Sequence, residues 1–209
     1  EIGVRLVGSE MCIRDSPWTP QGFPLNLHDI PKLTNNIDNK PMKCLHIITP
    51  VKDSIDSTLE TVKAIMESDI LVPFTYTVYN DFSTEENTHR LEEAARQWNF
   101  RLVNLSDLTD HPSPNYLLVL QTAQKEAIEA DAGLLIVESD VIVKKNTLQS
   151  LYNGALQQKQ CGIAAAVTTD EKGVINYPYL HAKGHENQVY PEKKHCSFCC
   201  SLLTPGLLK

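Results

Sequence analysis

Residues 133–140 read Gly133-Leu134-Leu135-Ile136-Val137-Glu138-Ser139-Asp140, an uninterrupted apolar run that ends abruptly in two carboxylates. A run of this length, rich in branched aliphatics and bounded by polar residues, suits a strand buried on both faces. Such strands belong to parallel sheets whose faces are both covered by helices. The flanks agree. Residues 116–130 have helical spacing, with Leu117, Leu120, Ala127 and Ile128 available for packing, and residues 146–158 place Leu148, Leu151, Tyr152 and Ala155 on one helical face.

The same alternation extends upstream. Residues 45–49 (LHIIT), 74–79 (FTYTVY) and 101–105 are predicted strands. Between them, residues 54–68 form a helix with Ile55, Leu59, Val62 and Ile65/Met66 on its inner face. Another helix has Leu91, Ala94, Ala95 and Trp98 inward, opened by Ser83-Thr84-Glu85-Glu86 as a capping box. Downstream, residues 162–167, 174–179 and 196–203 are expected as later strands. The pattern predicts an α/β fold with a mainly parallel central sheet flanked by helices, Rossmann-like in its layering.

Composition sets the outer bounds. The 209 residues carry 19 Lys+Arg against 26 Asp+Glu, a formal charge of −7, which disfavours a nucleic-acid-binding surface. With 42% hydrophobic residues the chain is too apolar for a disordered tail, and no apolar run approaches the roughly 18 residues of a membrane span. Six cysteines are too few and too uneven for a disulfide framework, so a reducing, cytoplasmic setting is expected, with peripheral contact at the inner face of a membrane as a variant. Residues 1–41 read differently: residues 8–16 look like translated adapter sequence, and prolines 17, 20, 24, 31 and 41 break any periodicity. They are expected to be a non-native or unstructured extension, with Met42 the native start and residues 42–209 the domain.

In open α/β sheets, ligands bind beyond the carboxyl ends of the strands. The segments there are Thr49-Pro50-Val51-Lys52-Asp53, Asn80-Asp81-Phe82-Ser83-Thr84 and Glu138-Ser139-Asp140. Helix capping is the plainer role for Asp53 and Ser83, each just before a helix. Glu138 and Asp140 lie farther from the next helix, two apart in a stretch read as extended, so their carboxylates share a side. Two like charges at the end of an apolar strand call for a compensating hard cation.

These segments carry a resemblance. LHIITPVKDS (45–54), TVYNDFSTEENT (77–88) and LLIVESDVIV (134–143) resemble three ordered signatures of glycosyltransferase family 2, which has the GT-A fold. The first resembles the family's opening strand with its Pro and polar turn. In the second, similar to V-D-D-G-S-T-D-x-T, Asn80 and Asp81 take the acidic positions while Ser83, Thr84 and Thr88 match directly. The third resembles the D-x-D motif, with Glu138 first and Asp140 second. The resemblance implies a transferase of bacterial polysaccharide-building type. It would move a sugar from a nucleoside diphosphate, a UDP-sugar first among them, to a carbohydrate or lipid-linked hydroxyl acceptor with inversion. It further implies that Thr49, Pro50, Asp53, Asn80, Asp81 and Ser83 contact the base and ribose. Asp140 would ligate Mn2+ or Mg2+ at the diphosphate, with Glu138 beside it near the ribose or metal.

Departures from the pattern matter. Asn80 and Glu138 replace the usual Asp, and Gln121–Gln124 (QTAQ) stands where A-R-N-x-G is expected. The family's catalytic base lies beyond a strand like residues 196–203, so the chain is expected to be truncated after Thr204-Pro205-Gly206 opens a helix, and the catalytic residue is unassigned. The departures motivate an alternative, a non-catalytic sugar-nucleotide-binding or scaffold domain. A sugar nucleotidyltransferase would prefer a Gly-rich basic loop where residues 49–53 have no glycine. Zinc at His195, Cys196, Cys199 and Cys200 is disfavoured for want of a second paired cluster. His46 is read as a packed or surface strand residue, and His181 and His185 as a solvated loop.

Overall fold

The computed structural model describes residues 4–6, 42–158, 161–177, 179–185, 188–189 and 196–209. In chain order the elements are β1 (Val4–Leu6), β2 (Leu45–Val51), α1 (Ile55–Met66), β3 (Phe74–Asn80), α2 (Glu85–Trp98), β4 (Arg101–Asn104), α3 (Tyr116–Glu129), β5 (Gly133–Val137), β6 (Val141–Ile142), α4 (Thr147–Gln157), β7 (Ile163–Ala165), β8 (Thr168–Thr169), β9 (Cys200–Leu203) and α5 (Pro205–Leu208). Six strands form the main sheet in the order β4-β3-β2-β5-β9-β7. The first four are parallel, and β9 runs antiparallel to both β5 and β7.

Strand alternation distributes the core between two layers. Leu45, Ile47 and Val51 of β2, with Leu135 and Val137 of β5, face α1, α2 and α4, where Ile55, Val62, Ile65, Leu91, Ala94, Leu148, Leu151 and Ala155 are buried. Ile48, Leu134 and Ile136 face the other way, onto Val119, Ala123 and Ala127 of α3 and Leu208 of α5. Gly133 opens β5 where space is short. A Cβ there would stand 2.6 Å from Met42 Sδ, 2.9 Å from Leu202 Cδ1 and 3.3 Å from Leu45 Cδ2. Those atoms end flexible side chains, so Gly133→Ala is expected to cost about 1 kcal/mol, the low end for overpacking. A melting midpoint lower by about 3 °C in differential scanning fluorimetry checks it.

Several sequence expectations shift. Leu117 is 67% exposed, and Val119, Ala123 and Ala127 form the packed stripe of α3 instead. The N-cap of α2 is Thr84, whose hydroxyl accepts from Asn87 N–H at 3.3 Å; Ser83 is occupied elsewhere. Among the described residues of 174–179 no strand forms. Asp170 Oδ1 accepts from Lys172 and Val174 N–H at 2.9 and 2.8 Å, curling the segment into a turn, and Ile175 makes an isolated bridge to Thr169. Residues 196–199 are also irregular, because Ser197 is drawn out of line: its N–H donates to Tyr179 Oη at 3.0 Å and its carbonyl accepts from Ser201 Oγ. His195 lies outside the described residues. Of residues 1–41 only β1 is described, pairing antiparallel with β6 and parallel with β8 in a small second sheet. His46 is packed rather than exposed, with Nδ1 at 2.8 Å from Thr75 Oγ1 and Nε2 at 3.2 Å from Glu126 Oε2. Its burial lowers its pKa, which favours the neutral ring. Among the described residues no helix is long and apolar enough to cross a membrane.

Candidate functional site

The strand order reverses at β2: the chain steps outward to β3 and β4, then returns to β5 on the other side. A crevice beyond the carboxyl ends of β2 and β5 is therefore the expected ligand position. Two groups of side chains stand at these strand ends.

The first group ties the β2 and β3 ends together. Asp53 N–H donates to Ser83 Oγ at 2.9 Å, and Asp53 Oδ1 accepts from Thr84 N–H at 2.7 Å and Asn87 Nδ2 at 3.2 Å. The Thr84 N–H holds the Asp53 carboxyl below the usual range. Lys52 Nζ donates to the Phe82 carbonyl at 3.1 Å. Asp53 and Phe82 both adopt left-handed backbone, with φ of 56° and 57°, uncommon for non-glycine residues and most of all for a bulky one. Reciprocal bonds across the two loops hold that conformation in place.

Asn80 and Asp81 are consumed by the frame. Asn80 Nδ2 donates to Thr88 Oγ1 at 3.0 Å and Asn104 Oδ1 at 2.9 Å, using both amide hydrogens, while Oδ1 accepts from Ser83 N–H at 3.2 Å. Asp81, only 8% exposed, accepts from Ser113 Oγ at 2.7 Å and from Asn115 N–H and Nδ2 at 2.8 Å each. Its own N–H donates to the Val51 carbonyl at 2.8 Å. Thr49 is fully buried and accepts from Tyr76 Oη at 3.0 Å. These three side chains position the crevice and offer it little surface. Half-exposed Pro50 and Ser83, with exposed Lys52 and Asp53, remain at its rim.

The second group is the acid pair. Glu138-Ser139-Asp140 is a turn rather than an extended stretch, closed by Val141 N–H donating to the Glu138 carbonyl at 3.1 Å. Thr61 Oγ1 anchors it from α1 by donating to the Ser139 carbonyl at 3.1 Å. The turn still keeps the carboxylates within electrostatic reach of each other. Burial raises both, and Asp140 raises Glu138 further. The Cys199 thiol partly offsets this by hydrogen-bonding to Glu138, whose N–H donates to the Cys199 carbonyl at 2.9 Å. Burial also pushes the Cys199 thiol up, so it stays protonated beside the pair.

Two half-buried carboxylates that resist ionising together are a donor set suited to a hard divalent cation. Among the described residues no cluster of three or more His, Cys, Asp or Glu is placed to hold a metal by itself. A cation here would need oxygens from its ligand, as magnesium and manganese sites on phosphates usually do. Ser113, Asn115 and Tyr116 were not singled out by sequence reasoning, and Cys199 was weighed there only as a zinc ligand. The Ser113-Pro114-Asn115 triplet before a helix was the available signal for the first two.

No sequence family matches the chain, and no curated protein does. Among solved structures, part of the chain is similar to a fragment of S. aureus TarS, at 20% identity over 57% of this chain and 34% of that one, with a TM-score of 0.45. It is also similar to the mannosyltransferase PcManGT from Pyrobaculum calidifontis in complex with GDP-Man and Mn2+, at 18% identity over 61% and 36%, TM-score 0.45. A third likeness is to glucosyl-3-phosphoglycerate synthase from Mycobacterium tuberculosis, solved with Mn2+, uridine diphosphate and glucosyl-3-phosphoglycerate, at 15% identity over 58% and 42%, TM-score 0.42. The chain spans about a third of the length of the first of these structures.

Proposed function

We propose that this chain carries the donor-binding part of a metal-dependent glycosyltransferase of GT-A type, related to family 2. Its donor is a nucleoside-diphosphate sugar, a UDP-sugar first among them, and its acceptor a carbohydrate or lipid-linked hydroxyl. The observation that carries the reading is the desolvated Glu138/Asp140 pair, set at the switch point of the sheet in the order and spacing of the three strand-end signatures.

In this reading Asp140 and Glu138 hold Mn2+ or Mg2+ against the donor diphosphate. When bound, such a cation would supply charge compensation for the departing diphosphate, the acceptor hydroxyl attacking the anomeric carbon with inversion. Pro50, Lys52, Asp53 and Ser83 border the nucleoside end. Thr49, Asn80 and Asp81 act one layer back, fixing the loops that those residues present. Calorimetric titration with UDP in the presence and absence of Mn2+ tests the proposal. Metal-dependent binding supports it, and no binding under either condition overturns it.

The saturation of Asn80 and Asp81 favours a second reading, a sugar-nucleotide-binding domain without turnover. Metal-dependent hydrolysis or transfer of a UDP-sugar, abolished by Asp140→Asn, would exclude that reading.

Acid should weaken the metal site early. The native carboxyls are raised above their unfolded values, so ionising them costs the metal-free fold stability above those native values. That cost is relieved as pH falls through them, while Mn2+ needs both groups ionised. Mn2+ affinity is therefore expected to start falling, on acidification, at a higher pH than a site of ordinary carboxylates would show. Over the interval in which it falls, these two groups should raise the metal-free melting midpoint. Paired Mn2+ titrations and thermal melts across a pH series check both signs.

A further inference from the structure

Tyr116 opens α3 within electrostatic reach of Glu138, and its hydroxyl is buried without a hydrogen-bond partner among the described residues. Buried hydroxyls are nearly always bonded, so an orphan of this kind requires a reason. Among the described residues two other buried atoms share the condition, Asn176 Nδ2 and His46 Nε2; His46 lies at the amino end of β2 and has the Glu126 carboxylate at 3.2 Å.

The position of Tyr116 is fixed from behind. The preceding residue, Asn115, gives both its N–H and its side-chain amide to Asp81, and the same amide donates to the His111 carbonyl at 3.0 Å. Asp81 is in turn bonded through its N–H to the end of β2. Behind the ring, Val119, Ala123 and Ala127 seat α3 on the sheet. With the helix start clamped and the helix packed, the phenol has little freedom to seek another partner. Its electrostatic neighbours are Glu138 and then Cys199. It does not bond to either, so the hydroxyl has no protein acceptor among the described residues.

We propose that the Tyr116 hydroxyl is a donor-binding group that hydrogen-bonds an anionic oxygen of the nucleotide diphosphate held at Glu138 and Asp140. This inference rests on the donor-site reading above and names one more residue in it. A phosphate oxygen is the fitting acceptor, because hydrogen bonds to ionised oxygens are the strongest a neutral hydroxyl makes. Burial and the nearby Glu138 carboxylate both push the phenol up, so it stays a protonated donor at neutral pH. The step is recognition only, with no bond made or broken.

Tyr116→Phe removes the hydroxyl and keeps the ring. In Mn2+, its UDP affinity by calorimetry is expected to fall about tenfold, while its affinity for uridine, which lacks phosphates, is unchanged. Its melting midpoint without ligand should be equal to or above that of the unaltered chain, since an unsatisfied buried group is gone. The near-ultraviolet tyrosine difference signal on saturation with UDP and Mn2+ should shrink in the variant. Unchanged UDP affinity overturns the proposal, as does an equal loss for uridine, which would put the contact at the nucleoside. A lower midpoint with unchanged affinity also overturns it, because water would then already satisfy the hydroxyl. If the unaltered chain binds no UDP with Mn2+, the donor-site reading itself fails; if it binds and Tyr116→Phe binds equally, only this inference does.

Discussion

Asp81→Ala is expected to lower the melting midpoint by about 8 °C, corresponding to about 3 kcal/mol for a domain of this size. Three donors converge on this carboxylate: Ser113 Oγ and the backbone and side-chain N–H groups of Asn115. Asp81 and Asn115 are both buried, so removing the acceptor strands donors that water reaches poorly. That is the costly way to lose a hydrogen bond. Asp81→Asn should recover only part of the loss, because its amide nitrogen would face donors. The damage should spread to the crevice, since Asn115 sets the start of α3 and Asp81 N–H joins β3 to the end of β2. Thermal melts of both variants check the sizes. An unchanged midpoint would mean that Asp81 is a free ligand contact rather than part of the frame.

Glu138→Gln should have the opposite profile, more stable and less able to bind. With the amide, the fold no longer carries a half-buried carboxylate that burial and Asp140 both hold away from ionisation. A gain of about 1 kcal/mol in the metal-free protein is expected, the usual scale when a functional-site group is relieved of strain. Metal-dependent UDP affinity should fall by about 100-fold, because an amide oxygen is a weak substitute for an anionic ligand of a hard cation. A chemical-denaturation curve and a UDP titration in Mn2+ on the same preparation check the two signs together. Loss of stability with unchanged affinity would assign Glu138 to the frame.

Much of the fold was legible because the strand residues carry their own signal. The run at Gly133–Val137 has the bounds the sequence predicted, and its alternate residues separate cleanly between the two helical layers. The face of α3 was not legible. Leu117, Leu118, Val119 and Leu120 are consecutive, so apolar residues point several ways and only the seat on the sheet selects Val119, Ala123 and Ala127. Residues 174–179 carry β-branched and aromatic side chains, yet the Asp170 side chain captures the backbone that a strand would need. In the crevice, the acid pair could be found from an apolar strand ending in charge. The fate of Asn80 and Asp81 could not, because the groups that saturate them come from Asn104, Ser113 and Asn115, far along the chain. Spacing marks which residues stand at a strand end. It does not say whether their hydrogen-bonding capacity is already spent.

The central claim, that Glu138 and Asp140 jointly hold a divalent cation against a nucleoside diphosphate, is tested most directly by electron paramagnetic resonance of Mn2+. The six-line signal of the free aqueous ion should be largely lost when both the chain and UDP are present. It should persist with the chain and uridine, and return when Asp140→Asn replaces the unaltered chain. A signal unaffected by chain plus UDP, or lost equally with Asp140→Asn, would contradict the assignment.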